Sequence, residues 1–216
     1  MASQISIIQC TDDDLPSAMA AISNGFGHDA PFFDCYFPAH DTSAGQESGL
    51  KRLQFWKENS PNSTFLKATT EAGKLIGFGV WTFMTEPVSD KLDEVEADVG
   101  ETWPDKDDAD HMRELWQQYV PYRNGAIGDS KVLEMLAVDR DHQRQGAGLQ
   151  LTEWGTRKAE EMEIEAVVEA TPIGVKTYHK AGMKTVVEET DMDLSPRFAD
   201  RRQVKLIFLR KGGTSG

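Results

Sequence analysis

One segment limits what this chain can become: Leu136-Ala-Val-Asp-Arg-Asp-His-Gln143-Arg-Gln-Gly146-Ala-Gly148-Leu-Gln-Leu151. It reads as a buried strand, a polar turn and two glycines that open an amphipathic helix, which places the chain in the α/β class. Glycines at such a turn remove Cβ atoms and let backbone close on an anion, while the first helical turn offers unpaired N–H groups and the positive end of its dipole. A phosphate-bearing ligand is the first expectation. Two familiar forms of that cradle are excluded. Leu151 stands where a dinucleotide fingerprint requires a third glycine, and the Gly-Lys-Ser/Thr ending of a P-loop is missing.

The chain has 216 residues, 39% of them hydrophobic, enough for one sizeable core and short for two. A single domain is expected over residues 1–211, with a flexible tail at 212–216. The longest apolar stretches, such as Leu75–Phe83, fall well short of the roughly 20 residues that span a bilayer, and the N-terminus lacks a basic-then-apolar signal pattern. No membrane association is expected. Cys10 and Cys35 are the only cysteines. They are too few for a disulfide framework, fit a reducing compartment and so predict a cytoplasmic protein. Cys35, among Phe32, Phe33, Tyr36 and Phe37, reads as a small packing residue rather than a nucleophile.

A net charge of −13 argues against nucleic-acid binding. Eleven acids between Glu86 and Asp110 face only Lys91 and Lys106, so most of the excess belongs to one insert, about residues 85–130, expected as a solvated charge run.

The remaining pattern predicts a strand at Ile5–Cys10, a helix over Leu15–Phe26 capped near Thr11, and a second helix from about Glu47 to Glu58. The aromatic stretch Gly27–Gly45 between them is a mobile loop or a substrate wall. A hairpin follows, Thr64–Thr70 with Lys74–Phe83, turning at Gly73. Within the insert a short helix is expected over Asp110–Tyr119, ended by Pro121. Lys131–Val138 is the central strand. The helix from Ala147 to Met162 presents Leu151, Gly155, Ala159 and Met162 to the sheet. Ile164–Ala170 is then parallel to the central strand, because a helix separates the two. A short helix over Gly174–Ala181 closes on Gly182, and late strands lie at Lys184–Thr190 and Val204–Arg210.

Gln143-Arg-Gln-Gly146-Ala-Gly148, after the strand Glu134-Met-Leu-Ala-Val138, resembles the Gln/Arg-x-x-Gly-x-Gly/Ala signature of the GNAT superfamily of N-acetyltransferases. Gly174-Val-Lys-Thr-Tyr178-His-Lys-Ala-Gly182-Met183 resembles that family's Tyr-x-Lys-x-Gly-Phe segment, with Met183 in place of the usual Phe. The β-α-α-β-β, then β-α-β-α-β-β order extends the resemblance over most of the chain, apart from the insert and the tail. Asp141-His142-Gln143 and Glu169-Ala170-Thr171 look most like fungal members.

This resemblance implies a mixed, mostly antiparallel sheet with splayed parallel strands four and five, flanked by helices. It also implies acetyl-coenzyme A as donor, no metal, and a small-molecule or peptide amine as acceptor, in a monomer or homodimer. In the family, pantetheine pairs with the open backbone at Leu136, Ala137 and Val138. The amides of Gln143, Arg144, Gln145, Gly146, Ala147 and Gly148 hold the pyrophosphate, and Arg144 adds charge or is merely solvated. Thr171 stands where relatives carry an Asn that contacts the donor. Tyr178 matches the tyrosine near the sulfur that acts as general acid, a role a phenol with an ordinary pKa near 10 can fill at neutral pH. Glu134 and Glu169 are the two candidates for general base, directly or through water. Two other readings stay open: a non-catalytic acyl-coenzyme A-binding module, and O-acetyl transfer to a hydroxylated metabolite. The five histidines show no metal spacing and are expected in solvated or capping roles. Trp103, Trp116 and Tyr119 read as core or lid packing rather than a cation cage.

Overall fold

The computed structural model describes residues 4–126, 130–190 and 192–212. A seven-stranded sheet runs in the order β1-β2-β3-β4-β5-β7-β6. Its strands are β1 Ser6–Gln9, β2 Ser63–Thr69, β3 Leu75–Met84, β4 Ser130–Val138, β5 Glu165–Ala170, β6 Lys184–Val187 and β7 Ile207–Lys211. Every neighbouring pair is antiparallel except β4 and β5. The expected sheet is therefore the observed one. Residues 213–216, most of the predicted tail, lie outside the described residues.

Helices α1 (Leu15–Phe26) and α3 (Ser43–Asn59) cover one face, closing Leu15, Met19, Ile22 and Leu53 over Phe65, Phe78 and Val80. α7 (Ala147–Glu161) and α8 (Val175–Lys180) cover the other, over Leu66, Ile76, Trp81 and Leu133. α7 sits close because Gly155 has no side chain: a Cβ there would lie 1.9 Å from Cε2 of Trp81. The Trp81 indole N–H donates to the Leu151 carbonyl at 3.1 Å, which fixes the ring under the helix. Leu151, Gly155 and Ala159 are buried as the helical spacing predicts, whereas Met162 is 43% exposed. It is the C-cap, and Glu163 turns the chain away at φ +58°, so Met162 lies past the last turn that touches the sheet.

The aromatic stretch is a packed wall. It contains α2 (Pro31–Tyr36) and buries Phe33, Phe37 and His40. The insert departs further from expectation. It folds as α4 (Leu92–Val95), α5 (Val99–Thr102) and a 21-residue α6 (Lys106–Ala126) that runs through Pro121. Proline there removes one N–H and leaves the Gln117 carbonyl without its helical partner. Both residues face solvent, where water can satisfy that carbonyl, while Trp116, Tyr119, Val120 and Arg123 are buried on the opposite face and hold the helix together.

Most of the insert's acids are exposed, as expected of a solvated charge run, but several are held in ion pairs. Glu96 is buried against Arg52 of α3 at 2.5 Å, Asp93 binds Arg113, Asp108 binds Arg201 and Asp110 binds Arg197. Three of these four pairs reach arginines outside the insert, Arg52, Arg197 and Arg201, and the fourth closes within it.

Gly155→Ala should destabilise the fold by about 3 kcal/mol, since the new methyl has only rigid indole to move against. For a chain of this length that is a fall in Tm of roughly 6–12 °C. Gly125→Ala, at an α6 position with open space around it, should hold or raise Tm. Thermal unfolding checks both, and a Gly155→Ala protein that melts with the parent would contradict the close approach of α7.

Candidate active site

The parallel ladder between β4 and β5 holds from Ser130↔Glu165 to Leu133↔Val168 and then ends. β4 continues to Val138, so Glu134–Val138 present backbone groups on one edge without a strand partner, while Glu169 and Ala170 of β5 stay paired to β7. The change of course coincides with a bulge. Val80 of β3 opposes Met135 and Trp81 opposes Leu133, which leaves Glu134 as the extra residue. Bulges bend a strand, increase its twist and re-aim a side chain. Here the alternation resets: Leu133 shares a face with Leu136 and Val138, and Met135 and Ala137 share the other.

A cavity of about 660 Å³ opens at this split. Its lining includes Glu134, Leu136, Ala137, Val138, Gln143, Arg144, Gly146, Gly148, Glu169, Thr171 and Tyr178. Of the residues singled out in the sequence, Gln145 and Ala147 are off the lining. The Gln145 side chain is exposed and reaches back to the Asp141 carbonyl, and Ala147 is buried in the core.

The turn between β4 and α7 is built to leave amides free. Asp139 accepts from the Asp141 N–H at 3.0 Å and starts a single 3-10 turn. Arg144 and Gly146 then take positive φ of +60° and +103°, the second a conformation that favours glycine. Gly146 caps α7 without a side-chain acceptor, and the N–H groups of Arg144–Leu149 have no intramolecular acceptor among the described residues. A Cβ at Gly148 would meet nothing nearer than 3.4 Å, so protein packing alone does not demand that glycine. The Gln143 side chain has a structural task. Its Nε2 donates to the carbonyls of Gly25 and Val138 and ties the turn to the end of α1. Gly25 permits that contact, since a Cβ there would lie 2.5 Å from the Val138 oxygen.

Three cations stand at the mouth. Arg144, Lys176 and Lys180 line the cavity, are exposed, and make no ion pair among the described residues. In a chain of net charge −13, unpaired cations gathered beside unpaired amides are chemically suited to an anion. Sequence reading named only Arg144. Lys176 and Lys180 sit on either side of Tyr178 on a helix too short to show its facing in the pattern.

Tyr178 is fixed by its helix. Gly182, at φ +85°, closes α8 with two bonds, from its own N–H to His179 and from the Met183 N–H to the Tyr178 carbonyl at 3.0 Å. Met183 is buried in the same cluster as Tyr178, so the replacement of the usual Phe keeps an apolar plug. The Tyr178 ring lies over Gly174, where a Cβ would come within 2.9 Å of Cε2. Burial pushes its phenol well above the ordinary tyrosine range. Its hydroxyl has no protein partner among the described residues.

Arg123 is the residue that sequence reading missed. Its buried guanidinium donates from Nη1 to Oε2 of Glu134 at 2.6 Å, from Nε to Oε1 of Glu169 at 3.1 Å and from Nη2 to Oε2 of Glu169 at 2.9 Å. Burial works against the Arg123 charge, but Glu134 and Glu169 outweigh it, and the group stays charged. The two candidate bases are therefore unequal. Both oxygens of Glu169 are engaged, whereas Oε1 of Glu134 has no side-chain partner among the described residues. The signal for Arg123 was the spacing Trp116, Tyr119, Val120, Arg123 along one helical face, hidden by ending the helix at Pro121.

Burial pushes the Cys35 thiol up to about 11, and that of Cys10 likewise, which fits the packing role expected of Cys35. His40 and His111 are buried rather than solvated. His40 bonds Ser23 at 2.7 Å and Asp34 at 3.1 Å. His28, Asp34 and His40 form the one cluster among the described residues whose atoms could hold a metal ion, although Arg202 already pairs with Asp34.

Residues 113–196 match the family model of the acetyltransferase (GNAT) domain. The fold is shared with solved acetyltransferases. The histone acetyltransferase HPA2 and related acetyltransferase from Corynebacterium glutamicum superposes with a TM-score of 0.63 at 14% identity, covering 97% of both chains. A GNAT superfamily phosphinothricin acetyltransferase from Sinorhizobium meliloti, solved with acetyl-coenzyme A, gives 0.57 at 10% identity, covering 100% of this chain and 91% of that one. The PaiA N-acetyltransferase from Thermoplasma acidophilum, solved with coenzyme A, gives 0.53 at 13% identity, covering 97% and 99%. No curated protein matches by sequence. The architecture is that of the GNAT acetyltransferases.

Arg123→Met should lower stability by about 3–5 kcal/mol, because it leaves two buried carboxylates without their cation. Adding Glu169→Gln to that variant should recover part of the loss by removing one of the two charges. Denaturant titration of the single and double variants checks this, and additive losses would contradict the shared ion pair.

Proposed function

We propose that this protein is an acetyl-coenzyme A-dependent acetyltransferase that transfers the acetyl group directly to a primary amine. The observation that carries the reading is the opening of the β4–β5 ladder at Leu133 directly beside a run of unpartnered amides. A ligand with an extended amide chain and a pyrophosphate at one end fits both: the free edge of β4 at Leu136–Val138 accepts a strand-like partner, and the Arg144–Leu149 amides with Lys176 and Lys180 accept the phosphates. Two relatives of the same fold were solved with coenzyme A or its acetyl form.

When bound, acetyl-coenzyme A supplies an activated acetyl thioester. The protein's share is proton management and positioning. Glu134 lines the cavity, and its Oε1, free of the Arg123 contact, accepts a proton from the incoming ammonium while Oε2 stays on Arg123. Glu169, with both oxygens engaged, positions Arg123 and through it Glu134. N–H groups on the free β4 edge stabilise negative charge that develops on oxygen. Tyr178 keeps its proton at Oη throughout the neutral range and releases it to a departing thiolate. The leaning toward fungal members rests on Asp141-His142-Gln143 and Glu169-Ala170-Thr171, the cytoplasmic setting on two unbridged cysteines, and the single-domain reading on chain length.

Acetyl-coenzyme A should raise Tm in proportion to the logarithm of its concentration above Kd. Tyr178→Phe and Glu134→Gln should each lower kcat by about 10²-fold or more, with KM for acetyl-coenzyme A little changed. The Glu134→Gln loss should shrink as pH rises toward the pKa of the amine, because the acceptor then arrives already deprotonated. Thiol release with product mass checks these outcomes. Unchanged kcat in both variants would remove them from the chemistry, and release with alcohols alone would turn the reading to O-acetyl transfer.

A further inference from the structure

We infer that the acceptor is a primary amine bearing one positive charge and a flat, apolar body, of the arylalkylamine kind, a substrate class that rests on the transfer reading above. From Glu134 the cavity continues between α2 and α6, where Phe32, Tyr36, Trp116 and Tyr119 line it. Their rings close a circuit. Phe32 meets Tyr119 edge-on at 5.2 Å, Tyr119 meets Trp116 edge-on at 5.2 Å, Trp116 stacks with Tyr36 at 6.3 Å, and Tyr36 stacks with Phe32 at 5.9 Å.

Two polar ends of this box are anchored. Tyr36 donates its hydroxyl to Glu96 at 3.0 Å, and Trp116 donates its indole N–H to the Ser89 carbonyl at 2.9 Å. Arg52 lies over the Tyr36 ring at 4.2 Å. These rings are therefore held before any ligand arrives, and a partner does not bear the entropy of ordering them. Two of them, Trp116 and Tyr119, were expected only as packing; they do pack, and they also line the cavity.

Charge selects the head group. One arginine and two glutamates meet at the inner end of the box, a net charge of −1 in a buried place, with Arg123 fully engaged by its two partners. One ammonium neutralises the site, and aromatic faces favour a cation beside them. A polyamine brings charges for which the box has no counterpart. An amino acid brings a carboxylate toward Glu134 with no free cation to receive it. A hydroxylated amino sugar loses water against apolar walls.

The test compares 2-phenylethylamine with ethylamine, spermidine and phenylalanine on the intact protein. It reads kcat/KM by thiol release, and amine Kd by calorimetry with coenzyme A present. 2-Phenylethylamine should exceed ethylamine by about 30-fold in both quantities, the ratio expected for burying one ring, and should exceed phenylalanine and spermidine as well. Trp116→Leu should reduce the 2-phenylethylamine-to-ethylamine ratio of kcat/KM by about tenfold. Should Trp116→Leu fail to fold, the four-amine comparison on the parent protein decides alone. Equal use of the four amines, or no selective binding of 2-phenylethylamine, overturns the aromatic-amine assignment and leaves acetyl transfer standing. Selective binding with no thiol release from any amine keeps the assignment and overturns acetyl transfer.

Discussion

Four residue pairs of parallel ladder hold β4 against β5, and beyond Leu133 and Val168 the two strands part. The bulge that places Glu134 opposite no β3 residue turns β4 away, and Thr171-Pro172 ends β5 before it can follow. Backbone groups within a sheet are normally paired, and five residues of free edge beside a helix N-terminus are tolerated only where a ligand or water takes the open positions. Much of the site is arranged around that break. The same bulge aims Glu134 into the cavity, α8 brings Tyr178 to its rim, and the turn into α7 leaves its amides facing outward.

The insert supplies what the sheet does not. α6 carries Arg123 into the gap between Glu134 and Glu169, which otherwise place two carboxylates side by side with little exposure. Removing either charge from such a site costs more than the pair itself contributes, so the three groups depend on one another. The other end of the insert is tied down by Glu96 on Arg52 and Tyr36, which joins the end of α4 to α3 and α2. A segment that looks like surplus negative charge is a structural part of the pocket.

What could be read without coordinates follows the range of the interactions. α1 and the β2–β3 hairpin announce themselves through caps, turn glycines and local periodicity, and their bounds differ from expectation by a residue or two. The Gly146 turn was legible because positive φ has a residue preference, and Tyr178 through the resemblance of the Tyr178–Met183 segment to a family motif. Arg123 was hidden by the rule that proline ends helices, which fails at Pro121 since burial on the opposite face outweighs one missing hydrogen bond. His40, Asp34 and Ser23 are brought together by tertiary packing alone. No spacing in the chain encodes the four-ring box, because Phe32 and Tyr36 reach Tyr119 and Trp116 across 80 residues or more.

Amide hydrogen exchange with and without coenzyme A reads the broken ladder itself. If the free edge of β4 and the start of α7 receive the donor, the amides of Leu136–Val138 and Arg144–Leu149 become protected together on adding coenzyme A, ahead of any change in the β2–β3 hairpin. Saturating coenzyme A that leaves exchange in both segments unchanged would contradict that arrangement.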